Sequence, residues 1–282
     1  MACKFFEMIE KRWAASARVC VGLDPDIKKI PKKILGSKST SSPLFMTNQQ
    51  VVDMTKDLAL CYKPNRAFYK GPEGLMALRN TVAHIRNVAE GVPIILDAKY
   101  GDIGNTNVGY SEEAFDWLKC DAVTVHNYMG LEAMKPFLEQ KDKGIFVLCR
   151  TSNPGAGEFQ DLPILYKRFE GASMTTMPLY EMVAEHVKQL WNYNGNCALV
   201  VGATFSDQLL NVRSVVGEDM WLLLPGFGSQ GGDVFSAIRA GASKKGRVLG
   251  NSSSGIMFSS DPKAALQKLT DEINAALPKV PA

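Results

Sequence analysis

The sequence predicts an α/β protein of the (β/α)8, or TIM-barrel, class, organised as a single domain over residues 1–282. Three observations predict it. Eight short apolar runs of strand length recur along the chain, helical patterns lie between them, and charged or polar residues gather at the C-terminal ends of the runs.

The runs are VCVGLD (19–24), LALCYK (58–63), PIILDAK (93–99), DAVTVH (121–126), GIFVLCR (144–150), CALVVGA (197–203), MWLLLPG (220–226) and RVLGNSS (247–253). Each reads almost continuously apolar, as a strand covered on both faces does. The helical patterns between them include VVDMTKDLA, GLMALRNTVAHIRNVAE, SEEAFDWLK, GLEAMKPFLEQ, PLYEMVAEHVKQLWNYN and VFSAIRAGA. A last helix is expected to start with Asp261 as N-cap and Pro262 in its first position, where a missing N–H costs nothing. The competing architecture, an open doubly wound sheet, would more naturally carry a GxGxxG turn after its first strand, and GLDPDIKKI is not one. Two connections, from 27 to about 50 and from 151 to about 177, are long and rich in Ser, Pro, Gly and Lys, as functional loops are.

Composition narrows the function classes. A chain of 282 residues, 46% hydrophobic, buries one sizeable core. A formal charge of +3 is too mild for a nucleic-acid groove, and the one lysine cluster, Lys28, Lys29, Lys32 and Lys33, reads as a solvated face. No apolar run approaches the ~20 residues of a membrane span, and MACKFFEMIEKRW lacks a secretory apolar segment, so a soluble, cytoplasmic protein is expected. Six cysteines form no CxxC pair, and Cys20, Cys61, Cys149 and Cys197 sit in apolar runs as small hydrophobes. Three histidines without metal-ligand spacing give no transition-metal site; His126 ends an apolar run and is either a pocket residue or a packed one.

In a barrel the C-terminal strand ends converge on one mouth, so Asp24, Lys63, Asp97 with Lys99, His126 and Arg150 become neighbours. Side chains alternate along a strand, which puts Asp97 and Lys99 on one face, with Lys63 arriving from the adjacent strand and Asp102 three residues further on. At ~4 Å each opposite pair interacts by about 4 kcal/mol at an effective dielectric near 20, enough to hold every member ionised at neutral pH. The alternative is a structural salt-bridge network at the rim. PGFGSQGGD (225–233) follows the seventh strand and GNSSSGI (250–256) the eighth, the two loops that usually hold phosphate in this architecture. Gln230 and the backbone around Ser253, Ser254 and Gly255 would form the cradle; a glycine-rich turn alone need be no more than a turn.

The pattern D-x-K-x-x-D-I-x-x-T at Asp97, Lys99, Asp102, Ile103 and Thr106, with GLDPD (22–26), YKPN (62–65), RTSNPG (150–155) and PGFGSQGGD, closely resembles the orotidine 5'-phosphate decarboxylase family, in the subgroup with TSNPG and NSS loops. The resemblance runs from the first strand to the eighth. It implies decarboxylation of orotidine 5'-monophosphate (OMP) to uridine 5'-monophosphate (UMP) in pyrimidine biosynthesis, without metal or organic cofactor. It further implies Lys99 as catalytic ammonium, with Asp97 and Lys63 as its network partners. Asp102 and Thr106 would reach into the neighbouring site of a homodimer. Asp24 and Asn65 would lie at the ribose, Ser152 at the pyrimidine, and Gln230 and Gly231 at the phosphate.

Fusion to an orotate phosphoribosyltransferase is common in the family, and the ending ALPKVPA resembles a linker cut short. One departure stands out: where the family pattern expects NSSRGI, this sequence has Ser254 in place of the arginine, removing a charge-assisted phosphate contact. Two alternatives therefore accompany the reading. One is a phosphate-binding barrel of low or no activity. The other is a related sugar-phosphate decarboxylase, although those that resemble it use magnesium held partly by an acid where this chain has Lys63.

Overall fold

Eight parallel strands form the sheet of the computed structural model, which describes residues 3–167, 170–171, 173–227 and 233–278. In chain order the strands are β1 (Val19–Leu23), β2 (Cys61–Pro64), β3 (Ile95–Tyr100), β4 (Ala122–Val125) and β5 (Gly144–Arg150), then a hairpin of β6 (Pro163–Tyr166) and β7 (Thr175–Pro178), then β8 (Cys197–Val201), β9 (Leu222–Pro225) and β10 (Val248–Ser252). The sheet runs β2-β1-β10-β9-β8-β5-β4-β3, and parallel bridges Tyr62 to Ile94 and Asn65 to Asp97 join its two ends into a barrel. Six of the eight barrel strands fall within the predicted runs, and β2 and β3 each run one residue past theirs, to Pro64 and Tyr100.

Period-two alternation divides each strand between two cores. Val19, Val21 and Leu23 face outward to the helices with Leu96, Val123, Val147 and Leu199, while Cys20, Cys61, Ile95, Ala122, Phe146, Ala198 and Leu249 form a second apolar cluster inside the barrel. The helix Lys4–Ala14 closes the bottom of that inner cluster. Its buried Phe5 meets Phe146 edge to face at 5.6 Å, and a side chain on Gly144 would strike the Phe5 ring.

Asp261 caps the last helix, Pro262–Ala276, through the Ala264 N–H, as its sequence predicts. The helix Pro43–Thr55 begins well before the VVDMTKDLA pattern, because Pro43 fits a first helical turn and the Thr47 hydroxyl donates back to the Pro43 carbonyl at 2.8 Å. The connection after β5, expected to be a loop as far as about residue 177, instead folds into a short helix, Gly157–Gln160, and the antiparallel hairpin β6–β7. Its strands carry exposed Leu165 and lack buried alternation, so hydrophobic period gave no signal there. All six cysteines are buried and unpaired. Among the described residues, no helix is long and apolar enough to cross a membrane.

Candidate active site

Two residues above the inner apolar cluster, the same strand faces change chemistry. Cys61 is followed inward by Lys63 and Asn65, Ile95 by Asp97, Phe146 by Leu148, and Leu249 by Asn251. These side chains wall a cavity of about 600 Å³ at the C-terminal mouth.

Asp97 is the centre of the charge arrangement. Its Oδ2 accepts from Lys63 Nζ at 2.6 Å and its Oδ1 from Lys99 Nζ at 2.5 Å. Burial alone would push this carboxyl up; the two lysines reverse that and hold it well below the usual carboxylate range. Lys63 is likewise held ionised: burial pulls it down, and Asp97 followed by Asp24 more than restores it. The two lysines differ in access. The Lys63 side chain is 5% exposed and locked, whereas that of Lys99 is 47% exposed and opens onto the cavity.

Alternation does not account for where Lys99 points. Its backbone is left-handed, at φ 53°, and the pairing of β3 with β4 shifts between Leu96 and Tyr100. The lysine is thus presented by a bulge, not by a regular strand.

The structure brings together Lys63, Asp97, Lys99, Asp24, Asn65, Ser152, Ser253 and Ser254 as cavity walls. Burial raises the Asp24 carboxyl against the pull of Lys63, and among the described residues its buried Oδ1 has no hydrogen-bond partner. Asn65 caps the turn after β2 by accepting from Ala67 N–H. Ser152 approaches Gly202 so closely that a side chain there would sit 2.8 Å from the Ser152 Cα.

Asp102 and Thr106 are not among these walls. Asp102 lies before the helix Gly104–Glu112, its backbone clamped by Asn107, which accepts from Asp102 N–H at 3.0 Å and donates to its carbonyl at 2.6 Å. Its Oδ1 accepts from Ile103 N–H, so within one chain the expected four-charge array is a chain of three. Gln230 and Gly231 lie outside the described residues, as do the last four residues of the ALPKVPA ending; the described part of the loop after β9, Gly226 and Phe227, lines the cavity.

His126 is not a cavity wall but packs on Gly101, where any side chain would land 2.3 Å from its Nε2. Arg150 is buried and grips Asp161 through two nitrogens, each at 2.8 Å, stitching the following loop to the strand it leaves. Gln160 and Lys29 are among the cavity residues that the sequence did not single out. Gln160, fixed by accepting from Thr151 N–H at 2.8 Å, arrives on a helix that had no hydrophobic signature. Lys29, one of the four clustered lysines, lines the same cavity as Ser254, packs over the Phe258 ring at 5.9 Å, and has no carboxylate partner among the described residues. Only the closure of the barrel distinguishes it from the other lysines of that cluster.

A closed (β/α)8 barrel whose mouth pairs two ammonium groups with one buried aspartate, with a further lysine on the cavity wall, defines an enzyme class that handles an anionic substrate by fixed electrostatics. The profile of the family described as Orotidine 5'-phosphate decarboxylase / HUMPS family matches residues 17–269, and the chain belongs to that family. It is 42% identical over 261 residues to the orotidine 5'-phosphate decarboxylase of Cupriavidus metallidurans, covering 92% of this chain and 91% of that one. Among solved structures it is similar to Leishmania donovani OMP decarboxylase, with a TM-score of 0.81, 36% identity, and 97% and 98% of the two chains covered. It also resembles Leishmania donovani UMP synthase, with a TM-score of 0.84 and 37% identity, where it spans 98% of its own length and 57% of the longer chain.

Proposed function

We propose that this chain converts OMP to UMP and carbon dioxide in pyrimidine biosynthesis, with the Lys99 ammonium as the group that stabilises and then protonates the reacting carbon. The observation that carries the assignment is the asymmetry around Asp97: one lysine is sealed in, the other reaches the cavity.

Breaking the bond between C6 and the carboxylate leaves the electron pair on C6, in an orbital the pyrimidine ring does not delocalise well. An ammonium already fixed where that charge develops lowers the barrier without reorganising. Lys99 then gives its proton to C6, and solvent returns one to the amine after product leaves. Asp97 holds Lys99 in place and Lys63 holds Asp97. Asp24, with its unpartnered carboxylate oxygen, is suited to accept from a ribose hydroxyl beside Asn65, and Ser152 to meet the pyrimidine. The 5'-phosphate is assigned to the end walled by Ser253 and Ser254, where Lys29 supplies the cation that residue 254 does not; Gln230 and Gly231 belong to this subsite in the same reading.

Steady-state decarboxylation of OMP by Lys99→Ala tests the assignment. Turnover falls at least ~10⁴-fold while UMP still binds; near-normal kcat overturns it. The sugar-phosphate alternative is disfavoured because a cationic Lys63 occupies the position where an acid would help hold magnesium, and among the described residues no three His, Cys, Asp or Glu side chains form a metal-ligand group. Activity on OMP that persists in EDTA separates the two.

Asp102 and Thr106 point to a homodimer with shared sites. Ile103 beside them is 59% exposed, and Tyr128 is 91% exposed, apolar surface of the kind a second copy covers. Mixed dimers of Asp102→Ala and Lys99→Ala subunits regain activity if one intact site forms; confirmed mixed dimers without it count against sharing. Fusion to an orotate phosphoribosyltransferase is the matching proposal for the native gene product, supported by the longer UMP synthase relative. A native polypeptide no longer than these 282 residues overturns it.

A further inference from the structure

The bulge that presents Lys99 is held by a residue outside the motif. Leu96 pairs with Val123 and Tyr100 with Val125, so three residues of β3, Asp97, Ala98 and Lys99, lie opposite the single residue Thr124 of β4. Thr124 is 1% exposed. Lys99 N–H meets its Oγ1 at 2.9 Å, and that Oγ1 lies 2.9 Å from Asp97 Oδ1.

The chemistry fixes the direction of both bonds. An amide N–H only donates and an ionised carboxylate only accepts, so the hydroxyl accepts from Lys99 and spends its own hydrogen on Asp97. Lys99 is therefore tied to the same carboxylate oxygen twice, directly through its ammonium and indirectly from its backbone through Thr124.

We propose that Thr124 is a positioning residue for Lys99, its hydroxyl holding the left-handed lysine backbone and the Asp97 carboxylate in one arrangement; the inference rests on the reading of Lys99 as proton donor. A left-handed conformation is unfavourable for a side chain such as lysine and persists only where its surroundings enforce it. Without the hydroxyl, the partly buried Lys99 N–H loses its acceptor, and the backbone is free to relax toward an extended conformation. Successive residues of an extended strand point to opposite faces, so relaxation re-aims the ammonium as well as loosening it. The effect falls on the chemical step, because Thr124 is not itself a cavity wall and its hydroxyl bonds Asp97 and Lys99.

The test compares Thr124→Val, which keeps the shape without the hydroxyl, with Thr124→Ser, which keeps the hydroxyl without the methyl. For Thr124→Val, kcat on OMP falls about 100-fold, the scale of a displacement of about 1 Å at a reacting group. KM stays within about twofold and Thr124→Ser within about threefold of the parent kcat. Thr124→Ala carries the same expectation as Thr124→Val and serves if valine does not fold, with UMP affinity reporting an intact cavity. Parent-like kcat in the valine and alanine variants overturns the inference, as does a loss that appears in KM, or an equal loss in the serine variant. Lys99→Ala is measured alongside. If it is inactive while Thr124→Val is unaffected, only the role of Thr124 fails; if it is active, the assignment beneath both fails.

Discussion

The floor and the mouth of this barrel share the same strands and the same alternation, yet two residues' travel along a strand exchanges Ile95 for Asp97 and Cys61 for Lys63. At the floor, Phe146, Leu249 and their neighbours stabilise the fold by leaving water. At the mouth, burial opposes the charges of Lys63 and Asp97, and each is held ionised by the opposite charges beside it. The difference teaches that stability and reactivity are separated by height within one lumen, so substitutions at the two levels should have distinct signatures.

Asp97→Ala has the largest expected effect, because it strikes both properties. It leaves Lys63 buried and unpaired, which costs about 3–5 kcal/mol of stability, and it releases Lys99, so turnover falls as well. Urea unfolding read beside kcat checks both. Phe146→Ala, at the floor, should also cost about 3–5 kcal/mol yet leave kcat per folded molecule unchanged; a large fall in kcat would erase the division between the levels.

The phosphate end gives a smaller effect. Lys29→Ala should raise KM for OMP about 10-fold, the range of one charge-assisted contact. Ser254→Arg should lower KM and rescue the Lys29 variant, while turnover of the unphosphorylated nucleoside responds to neither substitution. Equal losses on nucleoside and nucleotide would move Lys29 away from the phosphate.

The smallest effect concerns Asp24. Its carboxyl is raised in the folded protein, so its ionised form opposes folding, and this penalty develops as pH rises above the unfolded value near 3.9. Asp24→Asn should therefore raise Tm at pH 7 by about 2 °C and gain progressively less as pH falls toward that value. Asp97 has the opposite sign. Its folded value is depressed, so its stabilisation is complete above the unfolded carboxylate range and is lost progressively as pH falls from that range through the lower folded value.

Much of this was legible in the sequence. Near-continuous apolar runs marked the eight strands, because a parallel sheet covered on both faces needs them, and the charges at their ends marked the mouth. The pairing of Lys63 with Asp97 followed from strand adjacency and closure, and that of Lys99 with Asp97 was expected, though by alternation along a regular strand. The bulge at Lys99 did not, since a positive φ at a non-glycine residue has no compositional signature. Thr124 was hidden for a related reason: a lone threonine in DAVTVH reads as a β-branched strand residue until the bulge opposite demands a hydroxyl. Gln160 and the hairpin lay in a stretch without amphipathic period, and Lys29 was indistinguishable from three neighbouring lysines.

The contrast between a sealed Lys63 and an open Lys99 also governs how the pocket empties. In the turnover proposed above the ligand sheds one negative charge as its carboxylate departs as neutral gas, and the wall sheds one positive charge when Lys99 becomes an amine. Lys63, shut away from solvent, keeps its proton throughout. The sum over pocket and nucleotide is thus the same before and after reaction, so product departs from a wall that has been discharged in step with it, and only the solvent-facing nitrogen must be recharged before the next substrate arrives.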